Sequence, residues 1–402
     1  MRNLFALVLI LLYSGAVFAQ KNSEDNPLEK LLNSNPALQQ FIDQKDSLGI
    51  QIIYTQINRN RRNKPRFASY SYNLNNNSYF YPASTVKMPI AFLALEKLRE
   101  LNIKGLNRNT TMITDSSSSM QDYVYNQPNA SDGRPTIENY IQQIFQASSN
   151  DAFNRLYEFL GQEYIQQKLT AKGYPDAIIR HRLQITRTAE QNATTNGVRF
   201  YDTSGNLLYS QPAQISKAVY PAVDAKLGKG YYADGKLVNE PFSFALKNRV
   251  YLTDFHQMLQ SVIFPEQFSK KQRFNLSASD LSFIQTQLSN YAGNGLSAGN
   301  KILYYGSGKD SVNPNIRIFN KTGGAYGFLL DVSYVADQQH QIEYMLSAVI
   351  SCNQDGIYND DQYEYNTVGY PFMKELGKAV HQYEINRARK YPPILNVKTE
   401  LR

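Results

Sequence analysis

Hydrophobic and polar positions divide the chain into segments of distinct period. An apolar run from Leu4 to Tyr13 follows a single early Arg2 and leads into small residues before Val17-Phe18-Ala19. That run is too short to span a bilayer and reads as a signal peptide over residues 1–19, cleaved after Ala19. Beyond it, Pro27, Leu28, Leu31, Leu32, Leu38, Phe41 and Ile42 predict a helix or helix pair, with Pro27 at a first helical position. Gly49 to Ile57 is β-branched and apolar, and Arg66 to Leu74 alternates with aromatics, which predicts a hairpin. An apolar helix is expected over Pro89 to Leu98, with Pro89 disturbing its first turn.

Residues Asn107 to Gly133, including the Ser116 to Ser119 run, read as surface loops with a short helix, and Tyr123 and Tyr125 as exposed loop tyrosines. Thr136 is placed to cap a helix carrying Ile137, Tyr140, Ile141, Ile144 and Phe145; Asp151 is placed to cap the next, which Gly161 stops. From Val198 to about Lys247 the pattern turns strand-like, with Asp234-Gly235 as a hairpin signal. Helical spacing returns at Tyr251 to Val262 and Leu281 to Leu288. Three strands follow, Ile316 to Phe319, Phe328 to Val335 and Ile342 to Ser351, joined by turns at Gly323-Gly324 and Asp337-Gln338, before a last helix from Pro371.

This order of elements predicts an α+β fold in three layers, α/β/α: an antiparallel sheet of about five strands flanked by helices, with an all-helical lobe inserted between strands two and three. The expected division is 20–80 plus 250–402 for the α/β lobe and 81–249 for the helical lobe, with an inserted segment at about 198–247.

Composition narrows the classes. The net charge of +8 is spread along the chain without a long basic block, apart from the hairpin tip Arg59, Arg61, Arg62, Lys64 and Arg66, so nothing reads as a nucleic-acid module. The single cysteine, Cys352, cannot form an internal disulfide and sits in an apolar run as a buried thiol. His181, His256, His340 and His381 show no ligand spacing, so the sequence calls for no metal and no cofactor.

Three short motifs carry candidate chemistry. Tyr81-Pro82-Ala83-Ser84-Thr85-Val86-Lys87 contains Ser84 and Lys87 three residues apart, on one helical face, so the amine can reach the hydroxyl and take its proton. Ser148-Ser149-Asn150 follows an amphipathic helix. Lys321-Thr322-Gly323-Gly324 ends a strand-like run, where an ammonium and a hydroxyl suit a carboxylate and glycines permit close approach of a substrate.

With all three motifs in this order, the chain resembles the class A β-lactamases and penicillin-binding proteins over roughly Pro27 to Glu384. The resemblance implies the β-lactamase/transpeptidase-like fold. It implies Ser84 as nucleophile, Lys87 as its base, Ser148 as proton relay, Asn150 as substrate-binding amide, and Lys321 and Thr322 as the carboxylate-recognising pair. Backbone N–H groups of Ser84 and Gly324 would form the oxyanion hole. Ser149 stands where the commoner motif has Asp. Glu190, in Arg187-Thr188-Ala189-Glu190, is the candidate deacylating base, with Arg182 and Arg187 to pin its loop, although Thr194 stands where the family has an asparagine.

The implied activity is a class A-type serine β-lactamase working through an acyl-enzyme, secreted or periplasmic, with a β-lactam or cell-wall peptide as its small-molecule partner, and without membrane insertion after signal cleavage. A penicillin-binding D,D-peptidase or related serine esterase is the alternative, and a non-catalytic envelope-binding protein a third reading.

Overall fold

The computed structural model describes residues 26–116, 122–291 and 298–395. The signal-peptide reading, most of the Ser116 to Ser119 run and the C-terminal tail lie outside the described residues. No helix among the described residues is long and apolar enough to cross a membrane.

Five antiparallel strands form the central sheet: β1 (Gln51–Arg59), β2 (Pro65–Tyr72), β3 (Ile316–Ala325), β4 (Phe328–Asp337) and β5 (Ile342–Ser351), in the spatial order β3-β4-β5-β1-β2. The two chain ends therefore meet in the middle of the sheet, where β1 pairs with β5 from Gln51↔Val349 to Gln56↔Tyr344. Every residue of β4 is buried, as expected of a strand covered on both faces.

One face is covered by α1 (Pro27–Ser34), α2 (Pro36–Ile42) and the last helix, Tyr370–Asn386, which enclose a core of Leu28, Leu32, Tyr344, Leu346, Phe372 and Leu376. Asn26 and Asn35 cap the first two helices by accepting from backbone N–H groups, each with a proline opening the helix. On the other face lies a helical layer built around α3 (Lys87–Leu101), buried on all sides from Lys87 to Leu98. Against it pack α4 (Ile137–Ala147), α5 (Asn150–Leu160) and α6 (Gln162–Ala171), and the chain adds α7 (Ala189–Ala193), α8 (Leu252–Ile263), which lies on the sheet, and α9 (Ala278–Ser289), which meets α4.

Three local expectations change. Gly323 and Gly324 lie inside β3, and the β3–β4 turn falls at Tyr326-Gly327, both at positive φ (55° and 77°). Glycine is needed at 323 because a Cβ there would stand 2.7 Å from Thr85 Oγ1 and 2.8 Å from the Pro82 carbonyl oxygen. Within the stretch expected to be loops with a short helix, Thr111–Thr114 instead forms a strand of alternating burial that pairs with Val198–Tyr201. Ser149, at φ −56° and ψ 124°, caps α5 by accepting from Ala152 N, while Asp151 lies in the first turn and pairs with Arg155. The Asp234-Gly235 hairpin forms as read, with both residues at positive φ; its segment docks Phe242 and Phe244 against Tyr326, and Phe244 also against Tyr81, three residues before Ser84.

Candidate active site

The turn bearing Ser84, the candidate nucleophile, owes its shape to Pro89. An α-helix running through Ser84 would require residue 89 to donate to the Thr85 carbonyl, and proline has no N–H. Residues Ala83–Val86 instead form a 3₁₀ turn, closed by Lys87 N donating to Ser84 O, and the α-helical ladder starts afresh at Lys87. In a 3₁₀ turn side chains at i and i+3 eclipse. Lys87 Nζ accordingly lies 2.6 Å from Ser84 Oγ. Ala83, immediately before the serine, holds φ at 45°, a strained value for a residue with a Cβ.

Lys87 is buried, and its surroundings favour the neutral amine. Burial, with a smaller contribution from nearby Lys321, lowers its pKa to about 6. A neutral amine has two N–H donors and one lone pair. Four oxygens surround it: Ser148 O at 2.5 Å, Ser84 Oγ at 2.6 Å, Asn150 Oδ1 at 2.7 Å and Ser148 Oγ at 3.2 Å; a neutral amine that donates to the Ser148 and Asn150 carbonyl oxygens keeps its lone pair for a hydroxyl. The buried amine therefore stands within hydrogen-bond reach of the Ser84 hydroxyl, as a candidate base must.

Ser148 joins the two lysines. It ends α4 in the left-handed conformation (φ 51°), which turns its side chain and carbonyl toward α3. Its Oγ is 3.2 Å from Lys87 Nζ and accepts from Lys321 Nζ at 3.0 Å. Lys321 also donates to Thr322 O at 2.8 Å. Burial lowers the Lys321 pKa to about 7, against the opposing pull of Asp331, itself raised to about 6 by burial. Ser148, Asn320, Lys321, Thr322 and Asn300 line a cavity of about 300 Å³ beside this network. A larger cavity, about 540 Å³ beneath Lys97 and Thr195, contains none of these residues, so size does not mark the chemistry here.

Asn150 turns its other end outward: Nδ2 donates to Gln184 Oε1 at 2.7 Å. Gln184 is exposed and at positive φ (64°). It is held there by α5. Asn154 bonds both the N–H and the carbonyl of Leu183, at 2.9 and 3.1 Å. Glu158 receives two donors of Arg182 and the N–H of Asn196, and Arg182 in turn donates to the carbonyls of Gln191 and Thr194. Arg182 therefore pins the loop as the sequence suggested, whereas Arg187 is not part of that buried pair.

The structure brings Ser84, Lys87, Ser148, Asn150, Lys321 and Thr322 into one connected group, with Gly323 packed on the nucleophile turn and Gly324 next along β3. It does not bring Glu190 there. Glu190 sits exposed on the first turn of α7, its carboxyl held below the usual range by its own backbone N–H and the Thr188 side chain. Its carboxyl makes no contact with the Ser84 group; its partners are its own backbone N–H and Thr188. Gln184 is the residue the sequence reading missed. A signal for it existed: Asn150, Asn154 and Glu158 recur every four residues along α5, a polar stripe that must face a polar partner.

Comparisons with known proteins bear on the family and the fold. A family described as "Beta-lactamase enzyme family" matches residues 37–218. No curated protein matches the chain. Among solved structures, a β-lactamase from Desulfarculus baarsii DSM 2075 is 13% identical with a TM-score of 0.51, covering 90% of this chain and 98% of that one. One from Sphaerobacter thermophilus DSM 20745 is 11% identical with a TM-score of 0.50 (88% and 95% covered). One from Burkholderia vietnamiensis is 10% identical with a TM-score of 0.50 (92% and 99% covered). At these identities the likeness is one of fold.

Proposed function

We propose that this chain is a serine hydrolase of the β-lactamase/penicillin-binding protein superfamily that carries out an acyl-serine reaction on carboxylate-bearing substrates, of D,D-peptidase type, in which β-lactams are held as long-lived adducts. Lys87 takes the Ser84 proton as Ser84 Oγ bonds to the substrate carbonyl carbon. The proton then passes through Ser148 to the leaving nitrogen as the C–N bond breaks, leaving an ester on Ser84. Lys321 and Thr322 receive the substrate carboxylate. Ser84 and Gly324 N–H groups stabilise the oxyanion.

The observation that carries the D,D-peptidase reading is Gln184. Water attack on the ester needs a base, and the residue that reaches Asn150 from the loop is an amide, which cannot accept a proton at neutral pH. The second reading, a class A-type β-lactamase, is supported by the matched family's name and would need a base from elsewhere. In either case the protein is proposed to be exported by the Met1 to Ala19 segment.

Intact-mass spectra taken over time after mixing with benzylpenicillin, together with drug loss, test the proposal. A stoichiometric adduct lasting many minutes with little drug loss is expected. A brief adduct with continuing drug loss would overturn it in favour of the β-lactamase.

A further inference from the structure

Five residues along β3 from Lys321, about 17 Å at ~3.3 Å per residue, the edge pair Ile316↔Asp337 marks the end of the sheet. There the β4–β5 turn meets the last helix. Asp337 is buried, and its Oδ1 accepts from the backbone of Gln339 at 2.8 Å and His340 at 3.1 Å. Its Oδ2 is 2.6 Å from His340 Nδ1 and 3.2 Å from His381 Nε2. One ligand-capable atom from each of the three side chains lies within 4.8 Å of the others. The sequence reading found no ligand spacing because His381 comes from a helix far along the chain.

We infer that Asp337, His340 and His381 form a binding site for a divalent transition metal of the zinc type, separate from the Ser84 site. One carboxylate and two imidazoles are a donor set suited to zinc. Four ligands at about 2.0–2.2 Å on a tetrahedron stand about 3.3 Å apart, and the 3.2 Å between His381 Nε2 and Asp337 Oδ2 is that edge. The 2.6 Å edge between His340 Nδ1 and Asp337 Oδ2 must open by less than about 1 Å to match; with 37% of its side chain exposed His340 has room to adjust, and its open side leaves a position for water. The far nitrogen of His381, Nδ1, is 3.3 Å from Tyr344 Oη, an outer partner of the kind that fixes the tautomer of a ligating imidazole. The ion would clip the β4–β5 turn to the last helix. It acts on stability and has no part in acylation.

The test uses protein without a histidine tag, stripped with a chelator and dialysed against micromolar Zn²⁺. Retained metal is measured by mass spectrometry of the element, and melting temperature with and without the ion. Wild type is expected to keep one Zn²⁺ per chain and to melt several degrees higher with it. In His340→Ala, whose ring is exposed, and in Asp337→Asn, affinity should fall at least tenfold and the shift vanish, while Ser84 acylation is unchanged. Failure of wild type to retain zinc, or equal retention in His340→Ala, would overturn the site and leave a purely hydrogen-bonded cluster.

Discussion

Lys87 connects the sequence motif to a pH dependence. With its pKa lowered to about 6, the amine is protonated in acid and cannot take the Ser84 proton. Lys321, lowered to about 7, must keep its proton to hold a carboxylate. Acylation by a chromogenic cephalosporin, followed by stopped flow, should therefore rise as pH climbs through about 6, and its substrate affinity should weaken at more alkaline pH. Ser84→Ala should give no adduct, and Lys87→Met should slow acylation by about 10²–10⁴-fold, the usual contribution of a positioned base. Gln184→Glu places a carboxylate against the Asn150 amide; deacylation, read from decay of the adduct, should accelerate by a similar factor. An unchanged decay would remove this position from control of the ester's lifetime.

The strand β3 and the helix α5 decide whether the motifs form a site. On β3, the approach of residue 323 to the Pro82 carbonyl and Thr85 leaves no room for a methyl group. Gly323→Ala should push the nucleophile turn away, costing about 1–3 kcal/mol as overpacking does and slowing acylation without altering Lys87 itself. On α5, Glu158 and Arg182 are a fully buried ion pair. Removing one partner leaves a buried charge, so Arg182→Met should cost about 3–5 kcal/mol in urea unfolding. Replacing both with apolar residues should cost less than either single change, although the loop bearing Gln184 would lose its anchor.

Across the whole molecule, burial of lysines gives a stability profile. Lys87, Lys97, Lys301 and Lys321 are lowered by burial to about 6, 8, 7 and 7, while an unfolded lysine keeps its proton to about pH 10.4. Between those values the unfolded state binds more protons, so their contribution makes stability rise with pH. Asp254 and Asp331, raised by burial to about 7 and 6, act oppositely from about pH 4 to their folded values. The melting temperature should consequently climb between pH 7.5 and 9.5, and Lys301→Met, outside the proposed chemistry, should flatten that slope. The sequence by itself determined the order of the five sheet strands, Pro27 at the start of the first helix, the cap at Thr136, the hairpin at Asp234-Gly235 and the three motifs, because periodicity, capping and turn chemistry are local. Only the tertiary structure decided what crosses the chain: that Gly323 is a contact and not a turn, that Glu190 faces water while Gln184 faces Asn150, and that Asp337 and His340 meet His381. Those outcomes depend on which surfaces the packed helices and the sheet bring together; a local pattern such as the polar stripe of α5 shows that a polar partner is needed but not which residue supplies it.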